Sequence, residues 1–340
     1  MRKIRIAQIG VNRYSHATEI FHTLASKPEI FELVGYALVE DERETCKHKM
    51  KWFDGYPELS LEQILNDPTI EAVTVETDEI HLLKYAQLAA EHGKHIHMEK
   101  PGSQSLVDFE KLINTVRESG KVFHTGYMYR YNPYVSEAIT RAKAGELGTI
   151  YSVEAHMSRL DNPECREWLG TFKGGMMFYL GCHLVDLVLQ IQGLPEDIIP
   201  LNTSTGIDGV NTEDLGFAVL KYPNAVSVIR MGGTEVDGGN RRQLVICGSE
   251  ETLQIRPLER GVPWDKNYMF YTADRYIARK NDYNAPICTH EQSDVFPRYG
   301  VMLSAFAEMV RGEKENPYTL DYELDLFKTV LKCCGINERR

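Results

Sequence analysis

Lys100 is the residue of this chain best placed by type and sequence context to take part in catalysis. It lies between Glu99 and Pro101, just after an apolar stretch that predicts a strand. Ligands of open α/β sheets bind at the carboxyl ends of strands, where an ammonium group can lower the pKa of a substrate hydroxyl. Pro101 favours an extended backbone at Lys100 and would therefore fix its direction. The alternative is that Glu99 and Lys100 form a solvated turn.

His183 is the second candidate, because a histidine exchanges protons near neutral pH. Tyr179 lies four residues before it and Asp186 three residues after it. A helix would place all three side chains on one face, where Asp186 could orient the imidazole and Tyr179 could donate a hydrogen bond. A lone histidine on an apolar helix is more often a core residue, so both interpretations stay open.

A turn near the N-terminus has the spacing of a dinucleotide-binding fingerprint. A predicted strand over residues 4–9 is followed by Gly10, and a predicted helix runs to about residue 26. Asn12 and Ser15 stand where the second and third glycines are expected, and Arg13 between them is a further candidate for cofactor binding. Asn tolerates positive φ and Ser is small, so the turn can form and its helix can offer N–H groups to a pyrophosphate. The alternative is an ordinary turn between strand and helix.

The end of the second predicted strand, residues 33–39, is where a ribose-binding carboxylate is expected. Glu40 is the candidate, because its side chain would lie on the same strand face as that of Leu38. The acidic residues that follow would repel a 2′-phosphate, which predicts NAD rather than NADP as the cofactor. The alternative is a solvated helix start that is rich in acids.

Alternating strands and helices up to residue 128 predict a parallel sheet built from βαβ units. Asn132 and Pro133 predict the start of a helix that runs to residue 144. Strands are then predicted at 150–156, 217–222, 225–231 and 244–246, and further helices at 180–192, 298–311 and 322–334. The expected fold is an α/β Rossmann domain at 1–128 and an α+β domain at 129–340 with a mainly antiparallel sheet.

Composition excludes several classes of partner. The formal net charge of -11 over 340 residues argues against nucleic-acid binding. No apolar run approaches the length of a membrane helix, and the first residues lack the pattern of a signal peptide. The seven cysteines form no Cys-x-x-Cys pair, which is typical of free thiols in the cytoplasm. His95 and His97 share a strand face but lack a third ligand nearby in sequence, so no metal site is expected.

The chain resembles the Gfo/Idh/MocA family of nicotinamide-dependent sugar and cyclitol oxidoreductases over nearly its whole length. Three stretches carry the resemblance: Gly93-Lys94-His95 leading into Glu99-Lys100-Pro101, Gly126-Tyr127-Met128-Tyr129-Arg130-Tyr131-Asn132-Pro133, and Gly181-Cys182-His183-Leu184-Val185-Asp186. The resemblance implies an open antiparallel sheet in the second domain, whose face commonly forms a homodimer or homotetramer.

The same resemblance implies roles for individual residues. Lys100 would contact both the cofactor and the substrate hydroxyl, and His183 would act as general acid and base. Thr77 and His81 match a family segment after the fourth strand, so they are expected with Glu99 at the cofactor. Tyr127, Arg130 and Asn132 are expected near the sugar or polyol substrate.

Several positions depart from the family pattern and keep three hypotheses open. Asn12 and Ser15 replace glycines, Asp78-Glu79 replaces the common Pro-Asn, and Tyr179 replaces the usual aspartate. The first hypothesis is an NAD-dependent oxidoreductase acting on a sugar or cyclitol hydroxyl. The second is a redox-neutral lyase, glycosidase or epimerase that uses bound NAD. The third is a sugar sensor without enzymatic activity that has an eroded cofactor site.

Overall fold

The computed structural model describes residues 2–267, 269–283 and 285–337. Two compact units make up the chain, the first running to Tyr127 and including Tyr299–Leu324, the second covering Met128–Arg298 and the chain from Asp325. In the described residues, no helix is long and apolar enough to cross a membrane.

The first unit contains a five-stranded parallel sheet of order β2-β1-β3-β4-β5. Its strands are β1 (Ile4–Ile9), β2 (Phe31–Ala37), β3 (Ala72–Val75), β4 (His95–Met98) and β5 (Phe123–Thr125). Its helices are α1 (Ala17–Ala25), α2 (Glu42–Thr45), α3 (Leu61–Asn66), α4 (Leu82–Glu91) and α5 (Leu106–Ser119). The predicted Rossmann domain is thereby confirmed.

The second unit contains an eight-stranded, mainly antiparallel sheet of order β15-β14-β11-β10-β6-β9-β8-β7, in which only β6 and β9 pair in parallel. Its strands are β6 (Ile150–His156), β7 (Asp197–Pro200), β8 (Leu215–Tyr222), β9 (Ala225–Gly232), β10 (Gln243–Gly248), β11 (Glu251–Ile255), β14 (Asp274–Asp282) and β15 (Ala285–Gln292). A small second sheet joins β12 (Arg260–Gly261), β13 (Phe270–Thr272) and β16 (Phe296–Pro297). The helices are α6 (Pro133–Lys143), α7 (Pro163–Trp168) and α8 (Cys182–Gln192).

The chain ends with α9 (Gly300–Val310) and α10 (Leu320–Cys333). The predicted division at residue 128 placed α9 in the second domain, and the structure corrects this. The ring of Phe306 lies 5.8 Å from that of His97 and 5.7 Å from that of His124, and the Asn316 amide donates to the carbonyl of Phe123 at 2.9 Å. These contacts bury one face of α9 against the parallel sheet, which is why the segment belongs to the first unit.

Aromatic packing fixes α1 and hence the turn that precedes it. The ring of Phe21 lies 4.5 Å from that of Phe53, 5.1 Å from that of Tyr56 and 6.0 Å from that of Tyr36. Phe21 and Phe53 are each 1% exposed. Burying side chains of this size contributes roughly 2–3 kcal/mol each to the stability of the fold. Packing against the core therefore holds α1 and its first residues in place.

Candidate functional site

The strand order of the first unit reverses direction between β1 and β3, and open α/β sheets bind ligands at such a reversal. Gly10 follows β1 and Thr77 follows β3. A Cβ atom on Gly10 would lie 2.6 Å from the Cβ of Thr77, and the φ of Gly10 is 89°. Glycine is therefore required here, and the predicted order of strand, turn and helix is confirmed.

Asn12 holds this turn together with its side chain. The Oδ1 atom accepts from the backbone N–H groups of Tyr14 at 2.7 Å and Ser15 at 3.1 Å. The Nδ2 atom donates to the Thr77 carbonyl at 3.2 Å and to Glu79 Oε2 at 2.9 Å. The Ser15 hydroxyl then accepts from the N–H of Ala17 at the start of α1. Asn12 thus stabilises the turn without the expected glycine, and its amide oxygen occupies two of the turn's N–H groups.

Lys49 is a cation at this turn that sequence reasoning missed. Its ammonium donates to the carbonyls of Asn12 at 2.6 Å and Ser15 at 2.9 Å. Lys49 comes from a 3-10 turn 34 residues further along the chain, so no local pattern indicates the contact. Burial lowers the pKa of Lys49. The guanidinium of Arg13, which was predicted to bind cofactor, lies 5.8 Å from the ring centroid of Tyr14.

Glu40 does not lie on the strand face predicted for it, because β2 ends at Ala37. Glu40 has a φ of 51° and its Oε1 atom accepts from the Lys84 ammonium at 2.6 Å and the Tyr85 hydroxyl at 2.8 Å. His81 lies 3.8 Å from the same carboxylate. Glu40 and His81 therefore meet at the start of α4.

Glu42 is the acid that turns inward at the end of β2. Its carboxyl accepts from the N–H of Val39 at 2.9 Å and from the hydroxyl of Thr77 at 2.6 Å. Burial raises the pKa of Glu42 to about 7. Glu42 links the ends of β2 and β3 and holds the Thr77 side chain beside Gly10.

Glu99 and Lys100 lie buried at the end of β4, and the Lys100 ammonium is 3.5 Å from Glu99 Oε1. The solvated-turn interpretation is therefore wrong, and the Lys100–Pro101 peptide bond is cis. A Cβ atom on Gly126 would lie 2.7 Å from Glu99 Oε2. Gly126 thus leaves the space that the Glu99 carboxyl occupies.

Two further carboxyl groups lie within electrostatic reach of Lys100, and sequence reasoning missed both. Glu76 and Glu79 are each 0% exposed. Both oxygens of Glu76 and Oε1 of Glu79 have no hydrogen-bond partner among the described residues. Burial, with Glu99 as the next cause, raises the pKa of Glu76 well above its usual range, and burial raises that of Glu79 to about 7. Lys100 opposes both shifts.

His97 of β4 is a further buried polar residue, next to Glu76. Its Nδ1 atom lies 2.8 Å from Nδ1 of His124, and its Nε2 atom lies 3.9 Å from Oε1 of Glu76. Burial lowers the pKa of His97 to about 3, so this imidazole is neutral at neutral pH, and burial raises the pKa of the neighbouring Glu76. His95 accepts from the N–H of Val122 at 3.0 Å.

We expect Glu79→Gln to stabilise the protein above pH 7. The folded carboxyl keeps its proton up to about pH 7, whereas the unfolded one releases it near 4.5. Stability is therefore lost as the pH rises from 4.5 to 7, by on the order of 3 kcal/mol for this group. Urea unfolding at pH 5 and pH 8 should show a smaller loss in the variant than in the wild type.

The exposed Glu62 provides the control, because Glu62→Gln should keep the wild-type dependence on pH. An unchanged dependence in Glu79→Gln would show that this carboxyl ionises in the folded state as it does in water.

In the second unit, Arg130 and Asp186 form a buried ion pair. Nη2 of Arg130 donates to Oδ1 of Asp186 at 2.8 Å, and Nε lies 3.1 and 3.0 Å from the two carboxylate oxygens. Gln190 donates to the same carboxylate at 2.9 Å. The side chains of Arg130 and Asp186 are 0% and 1% exposed. Asp186, which was predicted to orient His183, thus binds Arg130 and Gln190.

Asn132 caps α6, which confirms the predicted helix start at Pro133. Its Oδ1 atom accepts from the N–H groups of Tyr134 and Val135, and its Nδ2 atom donates to the carbonyl of Leu258 at 2.7 Å. The Asn132 amide therefore holds the start of α6 and connects it to the loop that contains Leu258. Tyr127, at the end of the first unit, is 2% exposed.

Tyr179 lies in a π-helical turn, Met177–Gly181, directly before α8, and His183 lies in the first turn of α8. Single π-helical turns frequently mark functional sites. The Tyr179 ring lies edge-on to that of Trp168 at 5.1 Å, with the Arg159 guanidinium 5.4 Å from its centroid. The imidazole of His183 lies edge-on to the ring of Tyr129 at 5.3 Å.

Tyr129 is itself fixed by charges. Its hydroxyl donates to Glu259 at 2.7 Å, and Glu259 also accepts from Arg242 and Arg298 at 2.6 Å each. Burial raises the pKa of the Tyr129 phenol, so it stays protonated. The Tyr129 ring, which lies beside His183, is therefore held in place by its hydrogen bond to Glu259.

Neither a metal-ligand cluster nor a disulfide is found in the part of the chain that the structure describes. No three His, Cys, Asp or Glu side chains there are arranged to hold a metal ion. None of the seven cysteines, all of which lie in the described residues, forms a disulfide, and five of them are buried.

Comparison with known families covers most of the chain. Residues 4–127 match the GFO/IDH/MocA oxidoreductase family, NAD-binding Rossmann fold. Residues 135–254 match the GFO/IDH/MocA C-terminal domain.

Individual relatives are distant. The uncharacterised oxidoreductase YhhX of Escherichia coli (strain K12) is 26% identical over 170 residues, 50% of this chain and 49% of that protein, so the match spans about half the length of YhhX. The scyllo-inositol 2-dehydrogenase (NADP(+)) IolW of Bacillus subtilis (strain 168) is 25% identical over 247 residues, 72% of this chain and 67% of IolW. The solved aldose-aldose oxidoreductase from Caulobacter crescentus, complexed with glycerol, has a TM-score of 0.77 and 19% identity over 98% of both chains. At that identity the structural likeness shows the fold alone.

Proposed function

Because the chain belongs to the GFO/IDH/MocA oxidoreductase family, we propose that it is a nicotinamide-dependent dehydrogenase that oxidises a hydroxyl group of a sugar, cyclitol or related polyol. The observation that carries this proposal is the buried Lys100 at the carboxyl end of β4, with Glu99 3.5 Å away. IolW, which shares 25% identity, is a scyllo-inositol dehydrogenase, and this supports the substrate class.

The residues of the first unit fit a dinucleotide. Gly10 lets the turn pack closely on Thr77, and α1 begins seven residues after Gly10. The orphaned oxygens of Glu76 and Glu79 lie at the end of the neighbouring strand, where they lack a polar partner. The cofactor would supply the hydride acceptor when bound. Gly10, Asn12, Ser15 and Thr77 would hold it at the strand reversal.

Lys100 and His183 would have different roles toward the substrate hydroxyl. The Lys100 ammonium would stabilise the alkoxide that develops as the C–H bond breaks. His183 would accept the hydroxyl proton as general base. Tyr179, in the π-helical turn before His183, would donate a hydrogen bond to the substrate, since its phenol supplies no negative charge at neutral pH.

We infer a preference for NAD over NADP from the acids at the end of β2. Glu40, Asp41 and Glu44 follow β2, where the ribose is expected; Glu40 pairs with Lys84 and Arg43 with Glu58, and Asp41 and Glu44 are exposed. A 2′-phosphate would meet this negative charge and weaken binding. IolW uses NADP, so the preference is a property to be measured on this chain.

The test is a calorimetric titration with NAD, NADH, NADP and NADPH, followed by a panel of sugars and cyclitols with NADH formation recorded at 340 nm. Micromolar binding and stoichiometric NADH from one polyol would support a dehydrogenase. Turnover with bound NAD and no release of NADH would instead support a redox-neutral lyase, glycosidase or epimerase. Sugar binding without dinucleotide binding would identify a sensor in which Asn12 keeps the N–H groups of Tyr14 and Ser15 occupied.

We further propose a homodimer or homotetramer formed through the eight-stranded sheet. One face of this sheet packs on α6 and α8, and on the other face a row of paired residues crosses all eight strands. The row consists of Ile199, Val219, Val228, Glu154, Val245, Gln254, Tyr276 and His290, none of which is fully buried. Its apolar half is a surface that association would remove from water.

Val228→Glu should therefore dissociate the oligomer, because it places a charge in the apolar half of the row. Sedimentation velocity at micromolar concentration measures the change, and Lys111→Glu on the exposed face of α5 should leave the mass unchanged. A wild-type protein that sediments as a monomer at high concentration would contradict the proposal.

A further inference from the structure

The carboxyl groups of Glu76 and Glu79 form a buried acid pair that the proposed reaction does not use. Glu76 follows β3 directly and Glu79 lies three residues further on, where the strand order reverses. A buried carboxyl that lacks partners is costly unless a ligand or a proton compensates it. The three orphaned oxygens of this pair therefore have to be compensated by a proton or by a group of a bound ligand.

Charges from several elements act on this pair. The ammonium of Lys100 is one positive charge against the carboxyls of Glu76, Glu79 and Glu99. Like charges confined in a buried site cannot all ionise, so protons remain on part of the group at neutral pH. The other titratable groups that bear on the pair are Glu19 of α1, Lys49 of the 3-10 turn, Asp78, and His97 of β4.

We propose that Glu76 and Glu79 sense the charge of the nicotinamide ring and release a proton when the oxidised cofactor binds, but not when the reduced cofactor binds. This rests on the proposed function, which places the reacting ring within reach of Lys100. The same ammonium is within electrostatic reach of both carboxyls. A positive ring beside a neutral carboxyl favours its ionised form.

The comparison of the two cofactor forms isolates this effect. Oxidised and reduced dinucleotides share their phosphates, riboses and adenine, and differ by one positive charge on the nicotinamide. The pyrophosphate draws protons toward the acids equally in both cases. Any difference in proton release between the two forms therefore reports the ring alone.

The pair would also balance charge during turnover. The carboxylate would be ionised while the bound cofactor is oxidised, and it would take up a proton from solvent once hydride transfer has made the nicotinamide neutral. The net charge around Lys100 then stays the same across the reaction. Glu76 and Glu79 do not take the substrate proton in this scheme, because that proton goes to His183. They act only by keeping the net charge constant.

The test is calorimetric titration of the wild-type protein with NAD and with NADH at pH 7.5, each in phosphate and in Tris. The slope of the observed enthalpy against the ionisation enthalpy of the buffer gives the protons released per site. A carboxyl with a pKa of about 7 is still partly protonated at this pH. We therefore expect NAD to release roughly 0.2 proton in excess of NADH.

The double variant Glu76→Gln/Glu79→Gln should bind both forms with less than about 0.1 proton of difference, because the amides cannot ionise. Glu91→Gln, an exposed glutamate of α4, should keep the wild-type difference. Equal proton release with both forms in the wild type overturns the proposal, as does a full difference that persists in the double variant. Absence of binding by any dinucleotide overturns the proposed function as well, so the two failures are distinguishable.

Discussion

Lys100→Met should lower kcat by about a thousandfold while the protein still binds dinucleotide. The buried ammonium stabilises the developing alkoxide in the proposed mechanism, and removal of one such group costs about 3–4 kcal/mol of transition-state stabilisation. Methionine has a similar volume, so the site at the end of β4 keeps its shape. Steady-state kinetics with the polyol identified in the panel, together with calorimetric Kd values, measures both quantities.

Two further variants make the result specific. Lys100→Arg keeps the positive charge beside Glu99 and should recover part of the lost activity, whereas Lys111→Met removes an exposed lysine of the same unit and should leave kcat unchanged. If Lys100→Met kept more than a tenth of the wild-type kcat, the alkoxide role would be wrong. A folded variant that fails to bind the dinucleotide would instead assign Lys100 to cofactor binding.

Elements with local signals were predictable from the sequence. Helix α5 ends at Gly120, which has the left-handed φ of 63° that glycine adopts most readily. Asn132 and Pro133 start α6 as their types indicate, and β1 coincides with the predicted strand. Each of these signals acts over a few residues, so no knowledge of distant contacts was needed.

Elements that depend on distant partners were not predicted. Strands β11, β14 and β15 form a continuous part of the large sheet, yet β15 is exposed along its whole length and has no alternating pattern. Its strand form comes from pairing with β14. The position of α9 is similar, because it depends on contacts of Phe306 with residues some 200 positions earlier.

The candidate site shows the same limit at the level of side chains. Gly10 and Lys100 were found because their sequence context restricts the backbone. Glu76 and Glu79 were missed because a glutamate after a strand is usually solvated, and only tertiary packing shows that these two point inward. The signal that was available was Asp78-Glu79 itself, an acidic pair where the family commonly has Pro-Asn.

Arg130→Met should destabilise the protein by about 3–5 kcal/mol, the second large effect that we expect. It removes the guanidinium from a fully buried ion pair and leaves the Asp186 carboxylate buried without that positive charge. The double variant Arg130→Met/Asp186→Leu should regain much of this loss, because it removes the buried carboxylate as well. Urea unfolding followed by circular dichroism gives the free energies.

The exposed pair Arg117 and Asp321 is the matched control, since the side chains are 49% and 84% exposed and the same types of group meet at 2.7 Å. Arg117→Met should cost less than about 1 kcal/mol. The stability and the KM of Arg130→Met together distinguish two roles for Arg130. If Arg130→Met unfolds at nearly the wild-type urea concentration but raises KM for the polyol, then Arg130 binds substrate as the family resemblance implies. A large loss of stability that the double variant repairs would show that Arg130 instead serves to hold Asp186 and the helix that carries His183.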